Sequence, residues 1–372
     1  MDFYNPLYWT IHSGAYTLWH SVYPPLNFIF LGFFETLLPI NLSSYIDSEG
    51  LRELMGKNIL YLLGIYSALI FLTIQKSFSH IFNQKIVLVI FVIAILSPPS
   101  LFAMERGNLI FLSVYFFALY VFSKNDFQKI LAFSILVNLK PYFILVYFLE
   151  LLRCNKENKQ FLLLAPIASF LVLLITGIIF NQEYYLLPFN ILNFSSNAGL
   201  SPQEIFALPT TIAVFGYLNE LNGNQNIDRF VLFIPNIIIY FLLIIGAYRV
   251  ATNQFNKDYF LIFIGFFITS YSINAGGYSA LYYLPILGLL YINREYIILL
   301  IIVFTLFIGF WDMISLYPVG KWEFDIFLSG MTKEVVPSLS LGAVVRPIGN
   351  LVALLIFFKK TSFKNYAKNN KI

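Results

Sequence analysis

Eleven apolar stretches dominate the sequence, and many of them are long enough to cross a membrane as a helix. They fall at about 22–40, 58–75, 86–103, 107–122, 129–152, 161–180, 230–250, 259–275, 280–293, 296–317 and 340–358. A bilayer core of about 30 Å needs about 20 apolar residues in a helix. Only 11% of the residues are charged, against about 25% in soluble domains. A large soluble helical bundle would need charged outer helix faces. The sequence therefore predicts an all-α, polytopic transmembrane bundle that includes short or broken helices.

Lysine and arginine predict the orientation of the chain, because basic loops stay in the cytosol. The connectors that contain Lys76 and Lys85, Lys124 and Lys129, and Arg153 and Lys159 are basic, and so is the tail 359–372, with five lysines and no acid. The tail is expected to be a cytoplasmic anchor rather than a nucleic-acid patch. Residues 1–372 form one integral membrane domain, divided into an extracytoplasmic loop 1–21, a helical module 22–180, a second extracytoplasmic loop 181–229, C-terminal helices 230–358 and the tail. We expect a multi-pass plasma-membrane protein.

The segment 129–152 has basic residues on both flanks, so both ends are expected on the cytosolic side. Lys140-Pro141 lies at its midpoint, and proline ends or kinks the preceding helix. The segment is therefore predicted to double back, with Lys140 at the apex near the outer side. Before residue 107, the number of apolar segments conflicts with the predicted orientation. Three segments separate the first loop from Glu105, which would place the two on opposite sides of the membrane. Either 22–40 does not cross fully or one loop assignment is wrong, and the sequence leaves both alternatives open.

Three charged residues interrupt apolar sequence beside a helix-breaking Gly or Pro. They are Glu105 and Arg106 in "SPPSLFAMERGNLIFL" and Lys140 in "NLKPYF". Intramembrane charges persist where they pair, face a polar cavity or hold a ligand. Asn108 can cap the following helix, whose N-terminus favours an anion, and Arg106 can bind phosphate through two N–H groups. The alternatives are an Arg106–Glu105 ion pair that only fixes packing and a lysine that reaches toward the interface.

Other candidate residues carry weaker signals. Asp2 is the only acid in the first loop, and His12 and His20 lack a nearby partner for a metal site. Arg346 is a third cation that could contact a phosphate. The candidate cavity residues are Tyr23, Asn108, Tyr282, Tyr283 and Asp312. The tyrosines have an alternative role in the aromatic belt at the membrane interface.

The order "YPPL", "SPP…ERGN" and "LKP", each with its helix, resembles membrane glycosyltransferases of the C superfold, and above all glycosyltransferase family 87. The likeness covers about residues 20–150. It implies an inverting transferase whose catalytic module is 22–180 and whose active site faces away from the cytosol. The donor would be a mannose-like hexose or a pentose on a polyprenyl phosphate, and the acceptor a glycan or glycolipid.

The resemblance also implies roles for single residues. Asp2 matches the base in the family's first extracytoplasmic loop, with Glu105 as a second candidate carboxylate. Arg106 and Lys140 match the cations near the donor phosphate. The family places a transmembrane helix ahead of that loop, whereas this sequence starts within it. The sequence identifies no certain cofactor and leaves open a need for a divalent metal. The competing classes are a polymerase, ligase or flippase of envelope polysaccharide, and a transporter, which would show inverted repeats.

Overall fold

The computed structural model describes residues 4–37, 59–105, 107–153, 159–197, 227–271, 277–318, 322–326, 331–335 and 338–369. Within these ranges the chain is mainly helical, as predicted. The α-helices are α1 (Tyr4–Ile11), α2 (Pro25–Leu37), α3 (Ile59–Phe78), α4 (Gln84–Ile95), α5 (Pro98–Glu105), α6 (Ile110–Phe122), α7 (Asp126–Leu139), α8 (Ile144–Arg153), α9 (Lys159–Phe180), α10 (Leu187–Asn197), α11 (Ile227–Ala251), α12 (Lys257–Tyr271), α13 (Tyr283–Ile292), α14 (Tyr296–Ile302) and α15 (Leu341–Asn369).

Short turns of other helical types adjoin several of these helices. Three-residue and longer 3₁₀ turns lie at Pro141–Phe143, Tyr184–Leu186, Gly277–Tyr282 and Gly309–Met313, and a π turn lies at Val303–Phe307. Prolines and glycines account for most of these breaks, because proline cannot continue a helix and glycine is a poor helix former.

The region 296–317 differs from its prediction as one apolar segment. It is helical only to Phe307, after which Ile308 is extended and Gly309 begins a 3₁₀ turn. Four short strands follow: β1 (Ser315–Pro318), β2 (Trp322–Ile326), β3 (Met331–Val335) and β4 (Ser338–Ser340). β2 pairs antiparallel with β3 in the register Trp322 to Val335, and β1 pairs antiparallel with β4. The inner pair is thus nested within the outer pair.

Among the described residues, two helices are long and apolar enough to cross a membrane, namely Leu60–Phe78 and Lys159–Phe180. A third crossing results if α4 and Pro98–Met104, which meet at a bend of 61°, count as one broken span. Pro98 explains the bend, because proline begins a helix readily but cannot continue one. Shorter apolar helices cover Ile110–Phe122, Ile237–Ala251, Tyr278–Ile292 and Tyr296–Phe307. These lengths indicate a membrane protein.

The outer helix α9 points apolar side chains away from the protein. Leu163 and Phe170 are 69% and 62% exposed, and Ile167 and Ile178 on the same helix are also exposed. In water such a face would be a large exposed apolar patch, which soluble monomers rarely show. The exposed face of α9 therefore fits a lipid environment.

The centre of the bundle is α13, in which the eight consecutive residues from Tyr283 to Leu290 are all buried. It packs against α3, α6, α12 and α14. A helix that is apolar all round belongs in the interior of a large helical protein. Gly288 permits the close approach to α3, since a Cβ there would lie 2.7 Å from the Ser77 carbonyl oxygen.

Candidate functional site

The segment that was expected to double back does so at Lys140. α7 ends at Leu139, and α8 returns after the 3₁₀ turn that begins at Pro141. Lys129 Nζ lies 2.8 Å from Glu150 Oε1, and the rings of Phe133 and Tyr147 are 6.5 Å apart. Phe133 and Tyr147 are each seven residues from Lys140. These contacts show that α7 and α8 form a helical hairpin with Lys140 at its apex.

Asn27 of α2 ties the apex of the hairpin to the chain that precedes α2. Its Nδ2 lies 3.2 Å from the carbonyl oxygens of both Pro24 and Leu139 and 3.4 Å from that of Asn138. The Asn138 and Leu139 carbonyls lie at the end of α7, where the last C=O groups lack intrahelical partners. The Pro24 carbonyl also accepts from the Asn27 backbone N–H at 3.0 Å. The "YPP" and "LKP" motifs are therefore neighbours, joined by a buried amide.

A cluster that we call the lysine–tyrosine junction surrounds the apex and consists of Tyr23, Lys140, Tyr142, Tyr278 and Tyr282. Lys140 Nζ lies 5.7 Å from the centroid of the Tyr23 ring and 6.0 Å from that of Tyr278, within the range of cation–π attraction. The Tyr142 hydroxyl donates to the Tyr282 hydroxyl at 3.1 Å. The junction thus combines one cation with four tyrosines at the break of a hairpin.

The junction also contacts α5 and α6, which flank the "ERGN" motif. Tyr278 stacks on Phe102 of α5 with ring centroids 5.9 Å apart. The hydroxyls of Tyr282 and Ser113 of α6 are 2.7 Å apart and hydrogen-bonded. The junction is therefore bordered by all three motifs that carry the family resemblance.

The residues after Arg106 are arranged as their sequence suggests. Gly107 has φ of +62°, a left-handed conformation that glycine adopts without a steric penalty. Its carbonyl oxygen accepts a hydrogen bond of 2.7 Å from the Tyr66 hydroxyl. The Asn108 Oδ1 accepts from the Ile110 backbone N–H at 2.9 Å. Asn108 is buried and satisfies the first N–H group of α6. The N-cap position itself is Leu109, whose side chain makes no capping hydrogen bond.

The remaining predicted site residues lie in several places. Asp2 and Arg106 are outside the described residues. Glu105 closes α5 and Asp312 lies in the 3₁₀ turn Gly309–Met313, but their side chains are outside the described part. Arg346 is half-buried near the start of α15, which packs against the turns Val303–Phe307 and Gly309–Met313.

Tyr283 belongs to a different polar network from its neighbour Tyr282. Its hydroxyl accepts a hydrogen bond from Thr269 at 2.8 Å and donates to Asn350. Asn350 donates in turn to Ser270 at 2.9 Å. Because successive residues of a helix point about 100° apart, Tyr282 faces the junction while Tyr283 links α12 to α15.

Two buried triads of Tyr, Glu and Lys were not predicted. In the first, Glu150 accepts from the Tyr120 hydroxyl at 2.6 Å and pairs with Lys129. In the second, Glu295 accepts from the Tyr259 hydroxyl at 2.5 Å and from Lys360 at 2.6 Å. The available signal was a lone acid in apolar sequence, as in "ILVYFLELL". Glu150 lies in the last turn of α8, and Glu295 lies just after the end of α13. Each triad is therefore at the end of a helix whose other end adjoins the junction.

The first loop is held in place by two amides from the region after α9. Gln182 Oε1 accepts from the backbone N–H groups of Gly14 and Ala15 at 3.2 and 2.9 Å. Asn190 Nδ2 donates to the Tyr16 carbonyl at 2.9 Å. Burial raises the pKa of Tyr16, so its hydroxyl remains protonated and donates to the Tyr23 carbonyl at 2.9 Å. The loop is therefore anchored next to the junction.

Metal ligands do not cluster in the part of the chain that the structure describes. No group of three or more His, Cys, Asp and Glu side chains there could hold a metal ion. His12 instead packs against the Tyr8 ring, with centroids 4.1 Å apart. The polar groups that the structure describes at the junction are the Lys140 ammonium and the hydroxyls of Tyr142, Tyr282 and Ser113.

The fold and the site together define a helical membrane protein with a cationic, tyrosine-rich junction at the break of a hairpin. The chain matches no protein-family model, no curated protein and no solved structure. The functional inference below therefore rests on the arrangement of its own residues and on the resemblance of its motifs.

Proposed function

We propose that the protein is a glycosyltransferase that moves a mannose-like hexose or a pentose from a polyprenyl-phosphate donor to an extracytoplasmic glycan or glycolipid. The observation that carries the proposal is the position of Lys140 at the hairpin apex between two tyrosine rings. Lys140 is half-buried, and an ammonium group held in an apolar bundle suits the phosphate of a lipid donor, because intramembrane charges persist where they hold a ligand.

The chemistry assigns Lys140 to the leaving group. In an inverting displacement the acceptor hydroxyl attacks the anomeric carbon, the bond from that carbon to the phosphate oxygen breaks, and negative charge grows on the phosphate. A fixed cation in a site of low dielectric stabilises that growing charge. Arg106 is the second proposed phosphate contact. It directly follows α5 in the sequence, and Phe102 of α5 packs against Tyr278 of the junction.

A carboxylate is needed to take the proton of the acceptor hydroxyl. Asp2 is the proposed base and Glu105 the second candidate. Gln182, which follows α9, accepts hydrogen bonds from the first loop at Gly14 and Ala15. These bonds support the proposal that the first loop lies close to the junction. The junction tyrosines would line the donor site.

The proposed orientation places the junction on the extracytoplasmic side and the C-terminus in the cytosol. The base of the hairpin, with Lys129 and Arg153, adjoins basic connectors that are expected in the cytosol. Its apex then points toward the outer side. This orientation exposes the junction to a donor whose phosphate lies in the outer leaflet of the plasma membrane.

The test is sugar transfer by the purified full chain in lipid nanodiscs. The donor probe is polyprenyl-phosphate mannose with a radiolabelled sugar, and the acceptor is a glycolipid extract of the source membranes. Replacing Lys140 with alanine is expected to reduce the turnover rate by about 100-fold or more, as removal of one transition-state donor does. The matched control is Lys85→Ala, because Lys85 is exposed at the start of α4 and is expected to be dispensable.

Two results would argue against the proposal. If Lys140→Ala transfers sugar as fast as the unmodified protein, Lys140 does not contact the leaving phosphate. If the unmodified protein binds the donor but releases no labelled product with any acceptor fraction, a ligase, polymerase or flippase of envelope polysaccharide becomes the better assignment.

A further inference from the structure

Three hydroxyl groups at the lysine–tyrosine junction form a hydrogen-bonded chain with one fixed direction. Ser113 donates to the Ile110 carbonyl oxygen at 2.8 Å. A serine hydroxyl has a single proton, so in the 2.7 Å bond between Ser113 and Tyr282 the serine accepts and the tyrosine donates. The Tyr282 proton is thereby engaged, and Tyr142 donates to the Tyr282 oxygen at 3.1 Å. All three protons therefore point away from Tyr142 and toward the start of α6.

This direction leaves the Tyr142 oxygen as the acceptor at the open end of the chain. A phenolic oxygen accepts hydrogen bonds as well as donating one, and among the described residues no group donates to that of Tyr142. Tyr142 is half-buried, whereas Tyr282 is fully buried. The end that is not enclosed by the bundle is therefore the acceptor end, and a ligand that meets it must supply a proton donor.

The Tyr142 ring is held in place by the residue that follows it. The Phe143 ring stacks on that of Tyr142 with centroids 5.4 Å apart, and it packs edge-on against that of Tyr282 at 5.3 Å. Phe143 is itself buried. A polar group that is fixed before the ligand arrives loses little freedom on binding, so its hydrogen bond contributes more fully to affinity.

The two polar groups at the apex suit different parts of a sugar-phosphate lipid. Lys140, two residues before Tyr142, is a cation and suits the phosphate oxygens, which accept hydrogen bonds. A phosphodiester carries no proton at neutral pH, so it has nothing to donate to Tyr142. Sugar hydroxyl groups do donate, and the donor sugar is bonded directly to the phosphate. The donor sugar is thus the nearest group that fits the Tyr142 oxygen.

We propose that the Tyr142 phenolic oxygen accepts a hydrogen bond from a hydroxyl group of the donor sugar, and thereby selects the sugar-bearing lipid over other polyprenyl phosphodiesters. The inference rests on the proposed function, because it takes the donor phosphate to lie at Lys140. The bonds from Tyr142 to Tyr282 and from Tyr282 to Ser113 keep the Tyr142 proton turned away from the sugar. Tyr142 is therefore a specificity-determining residue of the donor site.

The experiment measures equilibrium binding to the purified full chain in lipid nanodiscs, without an acceptor. The ligands are polyprenyl-phosphate mannose, polyprenyl-phosphate arabinose and polyprenyl methyl phosphate. All three carry the same charge and differ only in the group beyond the phosphate. The unmodified protein is expected to bind one of the sugar lipids at least about tenfold more tightly than the methyl ester, and a factor of ten corresponds to about 1.4 kcal/mol.

Three variants separate the sugar contact from the phosphate contact. Tyr142→Phe is expected to reduce the sugar preference about tenfold, because the sugar hydroxyl loses its partner, and to leave binding of the methyl ester unchanged. Lys140→Ala is expected to weaken binding of all three lipids and to keep the preference. The matched control is Tyr147→Phe, whose lost hydroxyl donates to the Leu162 carbonyl at 3.0 Å, and it is expected to keep both.

Several results would overturn the inference. One is equal binding of the sugar lipids and the methyl ester by the unmodified protein, a comparison that does not depend on how well any variant folds. Another is a Tyr142→Phe variant that weakens binding of all three lipids equally, which is the effect of a purely structural role. A preference that arises only when the glycolipid acceptor is added would assign the contact to the acceptor instead.

Failure of the proposed function has a different signature. In that case the sugar preference depends on Tyr142 as expected, but the unmodified protein transfers no sugar to any acceptor. Tyr142 would then still contact the sugar of a lipid that the protein binds, and the inference would stand without the transferase activity.

Discussion

Replacement of Glu150 by glutamine tests how strongly the buried ion pair closes the hairpin. The Glu150 side chain is completely buried and that of Lys129 is 12% exposed. Removing one partner of a buried pair costs about 3–5 kcal/mol, because the other charge is left uncompensated. Glutamine can still accept a hydrogen bond from the Tyr120 hydroxyl, worth about 1 kcal/mol. We therefore expect Glu150→Gln to lower the free energy of unfolding by about 3 kcal/mol.

The assay is reversible unfolding in mixed micelles with increasing sodium dodecyl sulfate, followed by tryptophan fluorescence. A double-mutant cycle with Lys129→Met separates the pair from its surroundings. Each single variant is expected to lose about 3 kcal/mol, whereas the double variant should lose about 2 kcal/mol less than their sum, because it leaves no charge of the pair unpaired. Lys124→Met is the matched control, since Lys124 is exposed, and is expected to change the free energy by less than about 0.5 kcal/mol.

The cycle can also refute this reasoning. If the two single effects add to within about 0.5 kcal/mol, the residues do not interact in the folded protein. The hairpin base would then not be closed by this pair.

Two further predictions concern the apex and a loop. Asn27→Ala is expected to lower the free energy of unfolding by about 2 kcal/mol, since the buried Leu139 carbonyl loses its donor; the same unfolding assay measures it, and an unchanged midpoint would contradict it. Burial, followed by Lys124 and Lys76, lowers the pKa of His80 below its ordinary value. When the pH falls below that ordinary value, the imidazole is protonated more readily in the unfolded chain than in the folded protein, so His80 then lowers the free energy of unfolding. Lys124→Gln should raise the His80 pKa in an NMR titration of the imidazole while leaving it below the ordinary value, and a fall would contradict the assigned cause.

The hairpin was predictable because its signals are local. Lys140-Pro141 marks the break, and the basic residues on both flanks imply that the ends return to one side. The contact between Phe133 and Tyr147 confirms the return. The bond from Asn108 to the first N–H group of α6 was equally local, since an asparagine before an apolar run can satisfy the first N–H groups of a helix. The N-cap position falls one residue later, at Leu109.

The partners across the bundle were not predictable from spacing. Glu150 stands out as an acid in apolar sequence, but Tyr120 lies 30 residues away on α6. Asn27 reaches carbonyls more than 110 residues further along the chain. Tyr282 and Tyr283 look alike in sequence, and only the packing of α13 between α6 and α12 separates their roles. Such pairings depend on tertiary contacts, which one sequence does not encode as a pattern.

The strands between Ser315 and Ser340 were missed for a different reason. The apolar run 296–317 is long enough for a spanning helix, and length alone favoured that interpretation. Its second half contains Gly309 and the aromatic residues Phe307, Phe310, Trp311 and Tyr317. Aromatic residues suit a strand as well as a helix. Apolar content therefore predicted burial or lipid contact better than it predicted the backbone conformation.

The break at Lys140 has a cost that the rest of the fold offsets. A continuous helix over 126–153 would rise about 42 Å, enough to cross a bilayer core of about 30 Å, with its backbone groups satisfied internally. The break instead leaves carbonyls at Asn138 and Leu139 that Asn27 must satisfy. It also brings Lys129 and Glu150 together in the interior. Two separate sets of side chains thus stabilise a conformation that apolar sequence alone would not adopt, and their common effect is to hold the Lys140 ammonium beside Tyr23 and Tyr278.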